Sequence, residues 1–142
     1  MSIVFKDFSK IVLQKIQETG EIFLEEMGGE VEGQAKQNTK VDTGKTKGSW
    51  EHRVNADKME VQIGSRYKNA LWEELGTGIY PLNGDGRKTK WVYPDPNGKL
   101  DKNGKLKLYT TVGKKPRRAL YRAYQSKKNT IIRGARRRFK EL

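Results

Sequence analysis

The chain contains no cysteine and a single histidine, and no long apolar run interrupts its polar sequence. Without thiols, a disulfide framework and a thiolate-bound metal are both excluded. With His52 alone, a His-pair zinc site is excluded and histidine-based catalysis is disfavoured. No apolar stretch reaches the roughly 18 residues that a membrane-crossing helix needs. Lys6, Asp7 and Lys10 break up the apolar residues near the N-terminus, so no cleavable signal pattern is legible there and a cytoplasmic place of assembly is expected. Apolar residues are themselves scarce, at 34% against 33% charged in 142 residues. That length suits one domain spanning residues 1–142, but its core must be lean. Such a chain completes its burial against partner subunits, and an oligomer is expected.

Acidic residues are missing from one region only. From Lys114 to the end, Glu141 is the sole acid, while the rest of the chain is nearly balanced, so most of the net charge of +13 belongs to the C-terminal segment. A basic block of this kind attracts phosphates or an acidic protein surface.

What is present reads as helices flanking a β centre. From Ser2 to about Thr39, Phe5, Phe8, Val12, Ile16, Phe23, Met27, Val31 and Ala35 recur at helical steps. Gly20 and the pair Gly28-Gly29 predict a kink, or two helices in sequence. The polar face of this helix is acidic, which suits a core helix and not a membrane-surface one. Asn38 to Gly48 is rich in turn formers and reads as a loop. Trp50, His52 and Val54 then alternate with polar residues, as do Met59, Val61 and Ile63, with Ala56-Asp57-Lys58 between them: a β-hairpin with one buried face. His52 falls on that face as a hydrogen-bonded strand residue. Tyr67 to Leu75 forms a short helix with Ala70, Leu71 and Leu75 inward and Gly76 as its stop.

Residues 79–112 are dense in turn signals and read as a long β-hairpin arm. Trp91 and Tyr93 lie on one strand, and Leu106, Leu108, Tyr109, Thr110 and Val112 on its partner. Asn-Gly-Lys-Leu occurs at 97–100 and again at 103–106. Trp91, Tyr93, Leu106, Leu108 and Tyr109 are candidates for contact with a neighbouring subunit. Pro116 suits the first turn of a last helix, whose apolar stripe is Leu120, Tyr124, Ile131, Ala135 and Phe139, widened by Tyr121 and Ile132. Arg117, Arg118, Arg122, Lys127, Lys128, Arg133, Arg136, Arg137 and Arg138 crowd its remaining surface. They are the candidate contacts to DNA or to a partner, and too many for the helix dipole to explain.

No pattern of catalytic chemistry emerges. Gly44-Lys45-Thr46 resembles the end of a phosphate-binding loop, but that loop needs a glycine five residues earlier, where Thr39 stands. Glu73 and Glu74 are adjacent, so on a helix they point about 100° apart and cannot converge on one atom. With no metal cluster, nucleophile–base pair or cofactor loop, no enzyme activity and no cofactor are expected.

Val41-Asp42-Thr43-Gly44 followed by Ser49, then Val61-Gln62-Ile63-Gly64, then Ala70 with Glu74, Gly76 and Thr77, then a C-terminal helix, together resemble the tail-completion or minor tail-component proteins of long-tailed phages. The resemblance covers nearly the whole chain. Asp42, Thr43, Gly44, Ser49, Gly64, Ala70, Glu74, Gly76 and Thr77 carry it. Thr46, Asn69 and the Arg118-Ala119 pair depart from the family's usual residues. The resemblance implies an α+β fold, with long N- and C-terminal helices and a short middle helix packed on a small antiparallel sheet. It also implies structural work in the virion: a ring, often hexameric, at the tail end or head–tail joint, touching connector and tube proteins while DNA passes through. The other reading of the residues is sequence-independent nucleic-acid binding by the basic last helix.

Overall fold

Helix α1 (Ser9–Asn38) is the longest element and the one against which its neighbours pack. The structure, a computed structural model, describes residues 2–41 and 44–142. After α1 come α2 (Lys45–Gly48), strands β1 (Trp50–Asn55) and β2 (Glu60–Ser65), α3 (Lys68–Leu75), β3 (Trp91–Pro94), β4 (Leu108–Thr111) and α4 (Ala119–Lys140). The fold is α+β, with two separate two-stranded antiparallel sheets, β1–β2 and β3–β4. The chain forms two compact units: Met1–Arg66 with Ala119–Leu142, and Tyr67–Arg118.

In the first unit α1 begins at Ser9, later than the apolar spacing predicts. Phe8 is the N-cap, and Asp7 before it accepts the Ser9 backbone N–H at 2.8 Å. From there α1 runs unbroken through Gly20, Gly28 and Gly29, where a kink or two helices were expected. The reason is tertiary. A Cβ on Gly20 would overlap Met59 Cε, and one on Gly28 would stand 2.6 Å from His52 Cδ2 and 2.8 Å from Val61 Cγ2. The missing side chains are sockets for the hairpin. Packing there offsets the roughly 1 kcal/mol per glycine that helix propensity costs.

The β1–β2 register pairs Trp50 with Ser65, His52 with Ile63 and Val54 with Val61, so alternation turns His52 and Val61 toward α1. Met59, expected in the second strand, instead ends the turn in a left-handed conformation, φ +51°, which sends its side chain to Gly20. Trp50 is buried, and its indole N–H donates to Thr39 Oγ1 at 2.8 Å. Thr39 Oγ1 in turn donates to the Ala35 carbonyl at 2.7 Å, closing the end of α1. The stretch expected as a loop contains the short helix α2.

The His52 ring lies over Gly28 and Gly29, between two carboxylates of α1. Nδ1 meets Glu32 at 2.5 Å and Nε2 meets Glu25 at 3.1 Å, while Lys36 pairs with the other oxygen of Glu32. Hydrogen bonding to Glu32, and then to Glu25, raises the His52 pKa against the opposing pull of burial. Lys36, helped by His52, holds Glu32 below the usual carboxylate range.

Helix α4 packs antiparallel on α1. Asn38 Nδ2 donates to the Ala119 carbonyl at one end, at 3.1 Å, and Phe23 meets Phe139 edge-on at the other, with ring centroids 6.3 Å apart. Its deepest residues are Ala119 and Ala123, not the expected large ones. Tyr121, Tyr124, Ile132 and Phe139 stay 38–46% exposed. A close helix crossing selects small side chains at the contact. Gly134 illustrates this, since a Cβ there would reach to 3.2 Å of Phe23 Cε2. The helix starts at Ala119 and not at Pro116, because Arg118 has φ +54° and breaks the helical path.

Two glycines of α1 predict opposite outcomes. Gly33→Ala meets nothing within 4 Å, so it should stabilise by roughly 0.5–1 kcal/mol. Gly28→Ala meets His52 and Val61 and should destabilise by about 1–3 kcal/mol; urea unfolding of both variants checks the pair. A second prediction follows from His52. Its contribution is complete below the ordinary value of 6.5 and is lost as pH rises through its elevated folded pKa. That of Glu32 is present above 4.5 and is lost as pH falls through its depressed one. The melting temperature should therefore decline on the alkaline side of 6.5, and His52→Gln should flatten that decline.

Candidate interaction surfaces

The residues that carry the motifs fall in three places. Asp42 and Thr43 lie outside the described residues. Gly44 precedes α2 with φ +81°, a left-handed conformation that glycine adopts freely. Ser49 follows α2. Its hydroxyl bonds the Thr46 carbonyl at 2.8 Å and the Ser65 hydroxyl at 2.6 Å, joining the turn to the far end of β2. Gly64 pairs with Glu51 across the hairpin, and a Cβ there meets nothing within 4 Å.

The second motif works inside the unit Tyr67–Arg118. Ala70 is buried, whereas Leu71, expected inward, is 57% exposed. Gly76 ends α3 with φ +82°, and a Cβ there would stand 2.9 Å from Pro116 Cδ. The missing side chain leaves room for Pro116 in the returning segment. Thr77 bonds Lys114 twice: its N–H donates to the Lys114 carbonyl at 2.9 Å, and its Oγ1 accepts the Lys114 N–H at 3.0 Å. Ile79 N–H donates to the Val112 carbonyl at 3.0 Å, and Arg117 N–H to the Glu73 carbonyl at 2.7 Å. Sequence reasoning missed two partners in this lock. One is the close pass of Gly78 and Gly113, where a Cβ on either would overlap the other's backbone. The other is Glu73, whose largely buried carboxylate pairs with Lys114 and, at 3.1 Å, with Arg117 Nε. Glu74, the motif glutamate, is partly buried beside it. The spacing Gly76-Thr77-Gly78 was the available signal for the first.

In the β3–β4 hairpin Trp91 pairs with Thr111 and Tyr93 with Tyr109. The Tyr93 and Tyr109 rings stack at 5.7 Å, and Tyr109 O–H donates to Asp95 at 3.0 Å. Burial opposes ionisation of Asp95, but N–H donation from Asn97, the Tyr109 hydroxyl and the Lys99 N–H outweigh it and lower its pKa. Leu106 and Leu108 are more than half exposed. The aromatic residues proposed for contact are thus partly used within the unit, while the leucines are not.

Helix geometry sorts the cations of α4. Lys127 and Arg138 face α1, pairing with Glu30 at 2.8 Å and Glu26 at 2.6 Å. Arg122 reaches the Asn38 carbonyl at 3.4 Å. Arg117 belongs to the Glu73 lock, and Arg118 makes the bend before α4. Arg133 and Arg136 line one shallow groove with Asn129 and Ile132. Lys128, Arg136 and Arg137 are exposed and make no ion pair among the described residues. Among those residues no group of His, Asp and Glu is placed to hold a metal.

The described residues thus form an α+β chain with a strongly basic last helix and several exposed apolar side chains. Residues 5–76, half of the chain, match the HK97-gp10-like family of bacteriophage tail components. The chain belongs to that family; it is a phage tail component, a constituent of the virion. The match runs from the segment before α1 to the glycine that ends α3. Comparison with curated proteins and with solved structures gave no match.

Substitution at the Gly78–Gly113 crossing tests the lock. Gly78→Ala forces a side chain onto the Val112 carbonyl at φ +68°. It should destabilise by at least about 1–3 kcal/mol and speed proteolysis within residues 79–112. Gly84→Ala, at φ +78° with open space around it, should cost less; limited proteolysis of the two variants separates them.

Proposed function

We propose that this tail component is a ring-forming subunit at the tail end or head–tail joint, most simply a hexameric collar. In this reading it completes the tail, or joins it to the head connector, with DNA passing through the hole. Its partners are copies of itself, the connector or stopper, and the tail-tube protein. It performs geometry and no chemistry. The observation that carries the reading is incomplete burial in a member of a tail-component family: Ile11, Val12, Leu13 and Ile16 on α1 are 40–65% exposed. Apolar surface of this extent marks a protein contact. Gly44, Ser49, Gly64, Ala70, Glu74, Gly76 and Thr77 act in this reading as scaffold, holding the contact surfaces in place.

A second reading rests on the unpaired side of α4. Arg133, Arg136 and Arg137 present positive charge to solvent, which suits the phosphate backbone of passing DNA or the acidic face of an adjoining ring.

Native mass spectrometry and negative-stain microscopy, with and without the connector and tube proteins, test the ring. A closed oligomer is expected, and a chain that stays monomeric with both partners present overturns it. A salt titration against duplex DNA tests the second reading. Replacing Arg133, Arg136 and Arg137 by alanine should reduce the slope of log K against log salt by about 3 if each neutralises a phosphate. An unchanged slope assigns the face to protein.

A further inference from the structure

The β3–β4 hairpin sorts its side chains by chemistry. On the returning strand Lys107, Tyr109 and Thr111 alternate with Leu106, Leu108 and Thr110, so the two sets face opposite ways. Contacts on the first face bear this out. The Lys107 ammonium lies 5.1 Å from the centre of the Tyr109 ring, and Tyr109 stacks on Tyr93 at 5.7 Å. Trp91 pairs with Thr111 on that same face, and the Arg87 guanidinium sits 5.5 Å from its ring. One side of the ribbon is aliphatic; the other is aromatic and basic.

Positive charge concentrates at the tip. From Lys99 to Lys107 there are four lysines and one acid, Asp101. Leu100 bridges Leu106, which sets Lys99 opposite Lys107, and the Lys107 N–H donates to the Lys99 carbonyl at 2.8 Å. Like charges facing each other across a ribbon are destabilising. The nearby carboxylates are committed to the turns. Asp101 accepts the N–H groups of Asn103 and Lys105 at 2.8 and 2.9 Å, and Asp95 accepts the Asn97 N–H at 2.8 Å and the Tyr109 hydroxyl at 3.0 Å. Lys99, Lys102, Lys105 and Lys107 are exposed and make no ion pair among the described residues.

A polyanion offsets this repulsion. Duplex DNA carries one negative charge per about 1.7 Å of its axis, so closely spaced lysines can each meet a phosphate. Lysine is a point charge on a flexible stem, which suits phosphates, whereas interface pairs with carboxylates favour the arginine fork. The tyrosines hold cations and do not offer open faces to bases: the Tyr109 ring lies between Tyr93 and Lys107, and its hydroxyl is bound to Asp95. That favours a duplex over a single strand, whose bases need free rings to stack on. We propose that Lys99, Lys105 and Lys107, supported by the Tyr93–Tyr109 pair, bind the phosphate backbone of duplex DNA without reading its sequence. The site lies wholly within the unit Tyr67–Arg118 and requires neither a ring nor the cations of α4.

Fluorescence anisotropy of the full chain with labelled duplexes of two unrelated sequences, over a range of salt, tests the site. Both duplexes should bind alike. Lys99→Gln, Lys105→Gln and Lys107→Gln together should reduce the slope of log K against log salt by about 3. A charge-matched variant, Lys10→Gln, Lys15→Gln and Lys58→Gln at exposed positions of α1 and the β1–β2 turn, should keep most of the slope. Equal losses in the two variants mean diffuse attraction and overturn the site. So does an unchanged slope in the hairpin variant, or a wild-type chain that binds an acidic tail protein but no duplex. Tighter binding to a single strand, lost in Tyr93→Leu, overturns the duplex assignment. Acetylation of amines in the wild-type chain needs no variant: duplex should protect Lys99, Lys105 and Lys107 more than Lys10 and Lys15, and equal protection counts against the site. A slope that falls only when Arg133, Arg136 and Arg137 are replaced supports the α4 reading and sinks this one. A monomer that still binds duplex through the hairpin sinks the ring and leaves this site standing.

Discussion

The packing of side chains into the glycine sockets of α1 is the constraint on which the first unit depends. Met59 enters at Gly20, and His52 and Val61 enter at Gly28. A Cβ at either place would push the hairpin away from the helix, and with it the indole of Trp50 that ties Thr39 to the end of α1. On its other side α1 accepts α4 through Ala119, Ala123 and Gly134, again by small residues. The core is lean in apolar mass but close in backbone distance. Interiors gain stability from contact density as well as from area, so a chain with 34% apolar residues can still hold its shape.

Charge does a different kind of work. The α1 acids are divided among partners: Glu25 and Glu32 clamp His52, while Glu26 and Glu30 hold Arg138 and Lys127 of α4. These pairs are partly exposed, and each contributes little to stability. What they achieve is orientation. They fix which side of α4 meets α1 and so which cations are left outward. In the second unit Glu73 does the same for Lys114 and Arg117. The surplus positive charge is therefore directional, and a basic face of that kind attracts phosphates or acidic protein surfaces.

Much of the local structure was legible because it follows from spacing. Trp50, His52 and Val54 alternate, and they form the inner side of β1. Asn-Gly turns separate β3 from β4, and Gly76 stops α3 with a positive φ. The errors share a cause. Gly20 and Gly28 looked like breaks because propensity describes an isolated helix, and here the cost is offset by side chains from a distant strand. Ala119 and Ala123 were passed over for Tyr124 and Phe139 because hydrophobicity grows with size, while a close helix crossing rewards its absence. Glu73 and Gly113 could not be matched in advance. Their partners lie some 35 to 45 residues away in sequence, and nothing local announces them.

The amino-acid order by itself determined the α+β class, the kinship with phage tail components and the gathering of positive charge near the C-terminus. Each of these is set by short-range periodicity, by a few motif residues or by simple counting. Only the tertiary structure decided which glycines are sockets, which glutamate closes the second unit and which arginines point outward. Those depend on distances between residues far apart in the chain, and such distances exist only once the backbone has folded.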